Sequence, residues 1–190
     1  MHKDKFTLKA KKEGMRARSA YKLQEINNRF KIIRQNDAIL DLGCWPGGWM
    51  IVASRIAKNG YVLGVDKVRI DAIEGCEFIL GDVMQDNTFN KIKSKIDKVD
   101  VVLSDLAPKT TGIKELDIEN SKKLALKALF IAKKMLKNNG HFLFKLFQGG
   151  NEAALTKKIR DSFSIVKIYK PATSKKRSKE IYIIAKGFKD

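Results

Sequence analysis

Residues 38–49 read AILDLGCWPGGW: a short apolar run, a turn with three glycines, and the opening of a helical pattern. Comparable runs rich in β-branched residues recur at 61–66 (YVLGVD), 76–82 (CEFILGD), 99–105 (VDVVLSD), 141–147 (HFLFKLF), 164–170 (SIVKIYK) and 180–188 (EIYIIAKGF). Continuous apolar runs of this length suit strands buried on both faces by covering helices. Helical patterns separate most of them, at about 48–58, 86–97, 119–137 and 151–162. The third is clearest, with Leu124, Ala128, Ile131, Ala132 and Met135 at helical spacing and Asn139-Gly140 as its stop. A further helix is predicted over 19–30, capped by Ser19, with Leu23, Ile26 and Phe30 turned inward. The alternation predicts an α/β fold: a doubly wound, mostly parallel sheet of seven strands with helices on both faces. The chain shows no internal repeat and no low-complexity linker, so one domain is expected across 1–190, with a basic N-terminal segment at about 1–22.

Charge and composition narrow the partners. Of 190 residues 44% are hydrophobic and 32% charged, which supports a packed core and excludes disorder as the default. Lys and Arg total 39 against 21 Asp and Glu, a net charge of +18, which calls for a polyanionic partner. The excess is concentrated: residues 1–22 hold eight Lys or Arg against Asp4 and Glu13, and residues 167–179 (KIYKPATSKKRSK) hold six and no acid. Chain ends often lie close together in compact domains, so both segments can share one face. Two cysteines, Cys44 and Cys76, and two histidines, His2 and His141, make neither a disulfide framework nor a zinc set, and no metal is expected. No run approaches the ~20 apolar residues of a membrane span, and the opening Met-His-Lys-Asp-Lys lacks a signal-peptide core. A cytoplasmic protein without membrane attachment is the expectation, and a monomer.

In an open α/β sheet, ligands sit beyond the carboxyl ends of the strands. The residues closing each run therefore carry the chemistry. Gly43, Gly47 and Gly48, flanked by Trp45 and Trp49, let a ligand approach the backbone, although any one of these glycines alone would be an ordinary tight turn. The loop matches neither GxxxxGK[ST] nor GxGxxG, which argues against a nucleoside triphosphate or a dinucleotide. Asp66 closes the second run, where an acid grips ribose hydroxyls. Asp82 follows the third, placed either to meet an adenine amino group or to cap the next helix. An adenosine ligand without pyrophosphate follows, and S-adenosylmethionine fits it. Asp105 closes the fourth run, and Lys145 lies inside the apolar fifth, where a lysine is costly unless paired, functional or snorkelling from the strand end. Glu180 opens the last run, and Lys22 lies on the 19–30 helix, where a solvated position is the ordinary reading.

RARSAYKLQEI (16–26), DLGCWPGGW (41–49), LSDLAP (103–108), FKLFQG (144–149) and KKRSKEIYIIAKGF (175–188) occur in order along nearly the whole chain. Together they resemble the FtsJ/RrmJ family of RNA ribose 2′-O-methyltransferases. The resemblance implies a Rossmann-like, S-adenosylmethionine-dependent methyltransferase fold and a Lys-Asp-Lys-Glu tetrad, here Lys22, Asp105, Lys145 and Glu180. It also implies cofactor contacts at Gly47, Trp49, Asp66, Asp82 and Asp105, while Cys44 and Trp45 stand at loop positions that are often small in relatives. The expected reaction moves a methyl group from S-adenosylmethionine to an RNA ribose, preferentially a uridine of large-subunit ribosomal RNA. Action on the tRNA anticodon loop is the alternative, and a non-catalytic RNA-binding ribosome-assembly protein is a further one. A ribose hydroxyl must lose its proton as it attacks, and an amine near its reference pKa of ~10.4 cannot accept that proton at neutral pH. Burial and a second nearby cation lower such a pKa. On this reading Lys145 is the general base, Lys22 supplies the second cation or steadies the developing alkoxide, Asp105 positions Lys145, and Glu180 orients a lysine or the ribose. Lys9, Lys11, Lys12, Arg16 and Arg18 lie beside Lys22 in sequence, and Lys175, Lys176 and Arg177 beside Glu180, as an expected grip on RNA phosphates.

Overall fold

Each apolar run becomes a strand of one sheet. The computed structural model describes residues 13–149, 152–175 and 178–189, with only the backbone of Ala154. Lys9, Lys11, Lys12, Lys176 and Arg177 lie outside the described residues. In chain order the elements are α1 (Ser19–Phe30), β1 (Ala38–Leu42), α2 (Gly48–Ile56), β2 (Tyr61–Asp66), β3 (Cys76–Leu80) and α3 (Asp86–Lys95). Then come β4 (Val99–Ser104), α4 (Lys114–Met135), β5 (Leu136–Phe147), α5 (Glu152–Arg160), β6 (Phe163–Tyr169) and β7 (Glu180–Phe188). The sheet order is β3-β2-β1-β4-β5-β7-β6. Strands β1 to β5 pair in parallel, and β7 runs antiparallel between β5 and β6. This is the seven-stranded, mostly parallel, doubly wound α/β sheet that the alternation predicts, with helices on both faces.

Successive strand residues point to opposite faces, so each central strand serves two cores. Leu40, Leu42, Val102, Phe142 and Phe144 pack with Ile92 of α3, Ile131 of α4 and Ile159 of α5. Ile39, Leu103, Leu143 and Tyr182 pack on the other face with Leu23 and Ile26 of α1 and Met50 of α2. Two-residue periodicity then dictates where the polar strand residues go: Asp41 shares a face with Ile39, and Lys145 with Leu143. The chemistry-bearing side chains of β1, β5 and β7 therefore face α1 and α2.

Several boundaries differ from expectation. Ser19 is the first helical residue of α1 rather than its cap; the N-cap is Arg18, which makes no side-chain capping bond. Helix α4 begins at Lys114, earlier than the apolar pattern suggests, because Asp117 Oδ1 accepts from the backbone N–H and hydroxyl of Thr111 and organises the turn before it. It ends at Met135, since Leu136 is already extended and pairs with Val99. Asn139, with φ +64°, and Gly140 instead form an irregularity inside β5 that restores pairing at His141. Strands β3 and β6 are the sheet edges and are only partly covered, so Leu80, Ile165 and Ile168 stay half-exposed rather than buried. Their apolar runs gave no sign of edge position.

Beyond β1 the chain turns at Gly43 and enters α2 at Gly48. The order reverses at β1, whose neighbours β2 and β4 lead away to opposite sides, and a crevice opens there. Gly43 has φ +78°, and its N–H donates to Val65 O at 2.8 Å. A methyl group on it would fall 2.7 Å from Leu106 Cδ2 and 3.1 Å from Leu106 Cα, so the turn admits no side chain. Gly43→Ala is expected to cost about 2–4 kcal/mol, combining a left-handed backbone with overpacking, read as a lower urea midpoint at unchanged m.

Candidate active site

A cleft of about 520 Å³ opens at this crevice, within the range of small-molecule sites. Gly43, Asp66, Asp82 and Asp105 line it, with Val83 and Leu106 as apolar walls. Backbone donors hold the acids in place. Asp66 Oδ2 accepts from Trp45 N at 2.9 Å and Oδ1 from Val68 N at 2.8 Å. Asp82 Oδ1 accepts from Met84 N at 2.9 Å. Asp82 is not a helix cap, since α3 is capped at Gln85. Trp45 lies on the rim, 57% exposed.

Beside the cleft, α1, β4, β5 and β7 bring together all four residues of the implied tetrad. Lys22 and Lys145 are both buried. Lys145 Nζ donates to the Asp105 carbonyl at 2.8 Å, and lies 3.0 Å from Asp105 Oδ1 and 3.8 Å from Glu180 Oε1. Lys22 Nζ lies 2.6 Å from Glu180 Oε2. Burial works to raise the Glu180 pKa, but the hydrogen bond and charge of Lys22, with Lys145 and Ser178, outweigh it and leave the carboxyl below its ordinary value. Tyr182 completes the constellation and was not singled out in the sequence. Its hydroxyl donates to Asp105 Oδ1 at 3.0 Å and accepts from Lys22 at 3.3 Å, linking the two lysine–acid pairs. It pairs with Lys145 across β5 and β7. A signal for it existed: Tyr182 is two residues beyond Glu180 in a strand, hence on the same face.

Gly47 and Trp49 lie apart from the residues lining the cleft. Gly47 is the N-cap of α2 with φ +104°, and a side chain there would meet Ile73 and Arg16. The Trp49 indole is 2% exposed, donates to Ser19 O at 2.9 Å, and packs 5.8 Å from the Tyr182 ring. It wedges α2 against α1, so any ligand contact of Trp49 runs through its backbone. Arg16 and Arg18 also brace the fold. Arg16 donates to the carbonyls of Asp71 at 2.7 Å and Ala72 at 2.8 Å, and Arg18 to Thr173 O at 2.8 Å.

The acids decide what the cleft can hold. Asp66, Asp82 and Asp105 converge on it in a chain of net charge +18, so the cleft is a local acidic site on a basic molecule. Beneath it Asp41 is fully buried, and neither of its oxygens has a hydrogen-bond partner among the described residues. Burial, then the charges of Asp105 and Asp66, push its carboxyl well above the ordinary range. S-adenosylmethionine carries a sulfonium and an ammonium beside an adenosine, and this set of carboxylates with apolar walls fits it. Asp66 and Asp82 would hold the adenosine, and Asp105 would face the sulfonium.

The native state binds the Asp41 proton more tightly than the unfolded chain, so Asp41 costs stability as pH rises above its ordinary value of 3.8. Asp41→Asn is expected to raise the melting temperature at pH 7, with the difference from wild type shrinking as pH falls and vanishing once both states are protonated. A variant less stable than wild type at pH 7 would contradict this.

Comparison with known proteins identifies the family. The family model of FtsJ-like methyltransferases matches residues 15–188. The Ribosomal RNA large subunit methyltransferase E of Methanothrix thermoacetophila is 44% identical over 97% of this chain and 72% of its own length. The protein of the same name from Hahella chejuensis is 39% identical over 99% of this chain and 93% of its own. In structure, a Plasmodium falciparum protein assigned as a ribosomal RNA methyltransferase superposes with a TM-score of 0.84 at 32% identity, covering 91% of this chain and 98% of that one. With the strand order, the acid-lined cleft and the motif run in agreement, the chain belongs to the FtsJ-like methyltransferase family.

Proposed function

We propose that this chain transfers the methyl group of S-adenosylmethionine to a ribose 2′-hydroxyl of large-subunit ribosomal RNA, at a uridine. The observation that carries the chemistry is the cluster of Lys22, Asp105, Lys145, Glu180 and Tyr182 at the edge of the acidic cleft, in which the two lysines and the tyrosine are buried. The names of the curated relatives support the choice of ribosomal RNA.

The cofactor supplies an electrophilic methyl group on a sulfonium. The protein must then bring a ribose oxygen into line with it and receive the hydroxyl proton. Lys145 Nζ, acting as the free amine, takes that proton as the oxygen–methyl bond forms and the methyl–sulfur bond breaks, the sulfur leaving as a neutral thioether. Asp105 aims Lys145 through its carbonyl and carboxylate oxygens and also lines the cleft. Glu180 holds Lys22 at 2.6 Å, which leaves the Lys22 ammonium beside the same site to steady negative charge developing on the ribose oxygen. Tyr182 keeps Lys22 and Asp105 in fixed relation.

RNA reaches this site over a basic surface. Lys175 and Lys179 are exposed on the connection leading into Glu180, and α1, which carries Lys22, packs against that connection. Phosphate neutralisation by such lysines makes binding salt-dependent.

Lys145→Ala is expected to lower transfer of labelled methyl to large-subunit RNA by roughly 10²-fold or more while leaving S-adenosylhomocysteine affinity nearly unchanged. An active variant removes Lys145 as the base. Tyr182→Phe keeps the ring and is expected to lower kcat roughly tenfold, the worth of a hydrogen bond to a charged group. Mapping the label decides the substrate. Label on a ribosomal ribose supports the reading, and label on tRNA or on a base overturns its substrate or its chemistry.

A further inference from the structure

The connection between β6 and β7 carries both a basic run and Glu180, and one side of α1 holds it. Arg18, Lys22, Glu25 and Arg29 recur along that side at helical spacing. Each engages the connection or the strand ends beside it. Arg18 donates to Thr173 O, Lys22 pairs with Glu180, and the Arg29 guanidinium lies 5.0 Å over the Tyr169 ring. Glu25 makes the densest contact. Its Oε1 accepts from Tyr169 OH at 2.6 Å and Ala172 N at 2.7 Å. Its Oε2 accepts from Thr173 N at 3.1 Å and Thr173 Oγ1 at 3.0 Å. Burial acts to raise the Glu25 pKa, but these donors outweigh it and hold the carboxyl below its ordinary value.

We infer that Glu25 is a positioning residue for methyl transfer, acting through the β6–β7 connection to set Glu180 against Lys22 and Lys145. The inference rests on the proposed role of Glu180 and Lys22. Hydrogen bonds among the described residues lead from Glu25 to Glu180. Glu25 fixes Ala172 and Thr173 within a turn closed by Ser174 N donating to Pro171 O at 3.0 Å. Lys170 Nζ donates to Ser178 O at 2.8 Å, bracing the two ends of the connection together. Ser178 N donates to Lys175 O at 2.9 Å, and Ser178 Oγ to Glu180 Oε2 at 3.1 Å. Lys22 and Glu25 sit one turn apart on α1, so a single helix holds both the far anchor of the connection and the partner of Glu180. A carboxylate suits the anchor because it only accepts. Glutamine would turn an NH₂ towards N–H or O–H donors.

The test is steady-state methyl transfer to RNA by Glu25→Gln, Glu180→Gln and the double variant, with S-adenosylhomocysteine affinity measured for each. The expected result for Glu25→Gln is a kcat lowered roughly tenfold, with RNA KM and S-adenosylhomocysteine Kd changed by less than about threefold. The double variant is expected to be no slower than Glu180→Gln alone, because both substitutions disturb one carboxylate. Wild-type kcat in Glu25→Gln beside an impaired Glu180→Gln overturns the inference alone. So does a rise in RNA KM without loss of kcat, which would make Glu25 a holder of the RNA-binding lysines only, and so does an additive double variant. Wild-type kcat in Glu180→Gln overturns the reading on which the inference rests. If Glu25→Gln does not fold, Thr173→Val, which removes one donor, is expected to show a smaller kcat loss at unchanged KM, and full kcat in it overturns the proposal.

Discussion

Two lysine amines and two carboxylates share one mostly buried site where α1 meets β5 and β7, and much of the molecule is arranged around that constraint. Burying a charge is costly unless partners surround it, and removing one partner of a buried pair is more costly still. Lys145 is therefore tied to Asp105 and Glu180, Lys22 to Glu180, and Tyr182 bridges the two groups. These residues come from α1, β4, β5 and β7, so the cluster exists only when the first helix and the last strand are both in place. The α1 helix meets this demand with two kinds of contact. Leu23 and Ile26 bury an apolar stripe on the sheet, and Arg18, Lys22, Glu25 and Arg29 engage the β6–β7 connection.

The second organising feature is the separation of charge. The chain is strongly basic, yet Asp41, Asp66, Asp82 and Asp105 gather towards the carboxyl ends of β1 to β4. A polyanionic substrate is drawn to the outside of such a molecule and a cationic cofactor to its crevice. The tetrad lies where these regions meet, and Asp105 belongs to both. Asp41 bears the cost of this arrangement: a buried acid without a hydrogen-bond partner among the described residues, whose burial and acidic neighbours oppose its ionisation.

Much of this was legible in the residues. The apolar runs located the seven strands, because a strand covered on both faces must be apolar throughout. The residues ending those runs located Asp66, Asp82 and Asp105, because a doubly wound sheet presents its ligands there. Strand β6 shows the limit: its run reads like the others, but it lies at the sheet edge and leaves Ile165 and Ile168 half-exposed. Likewise Arg16 and Arg18 read as phosphate ligands from their charge, while in the fold they donate to backbone carbonyls.

The sequence by itself determined the fold class and the acids at the strand ends, since periodicity and glycine placement are local properties of the chain, and its family resemblance implied the four residues that the fold brings together. Only the tertiary structure decided that Lys22 is buried rather than solvated, that Tyr182 joins the lysine–acid pairs, and that Trp49 packs between helices away from the cleft. It alone decided that Glu25 anchors the segment leading to Glu180. Each of these depends on residues far apart in the chain, 144–148 positions in the case of Glu25 and its partners. A pattern with a period of two or 3.6 residues reports which face a side chain occupies, but not what that face meets once the chain has folded.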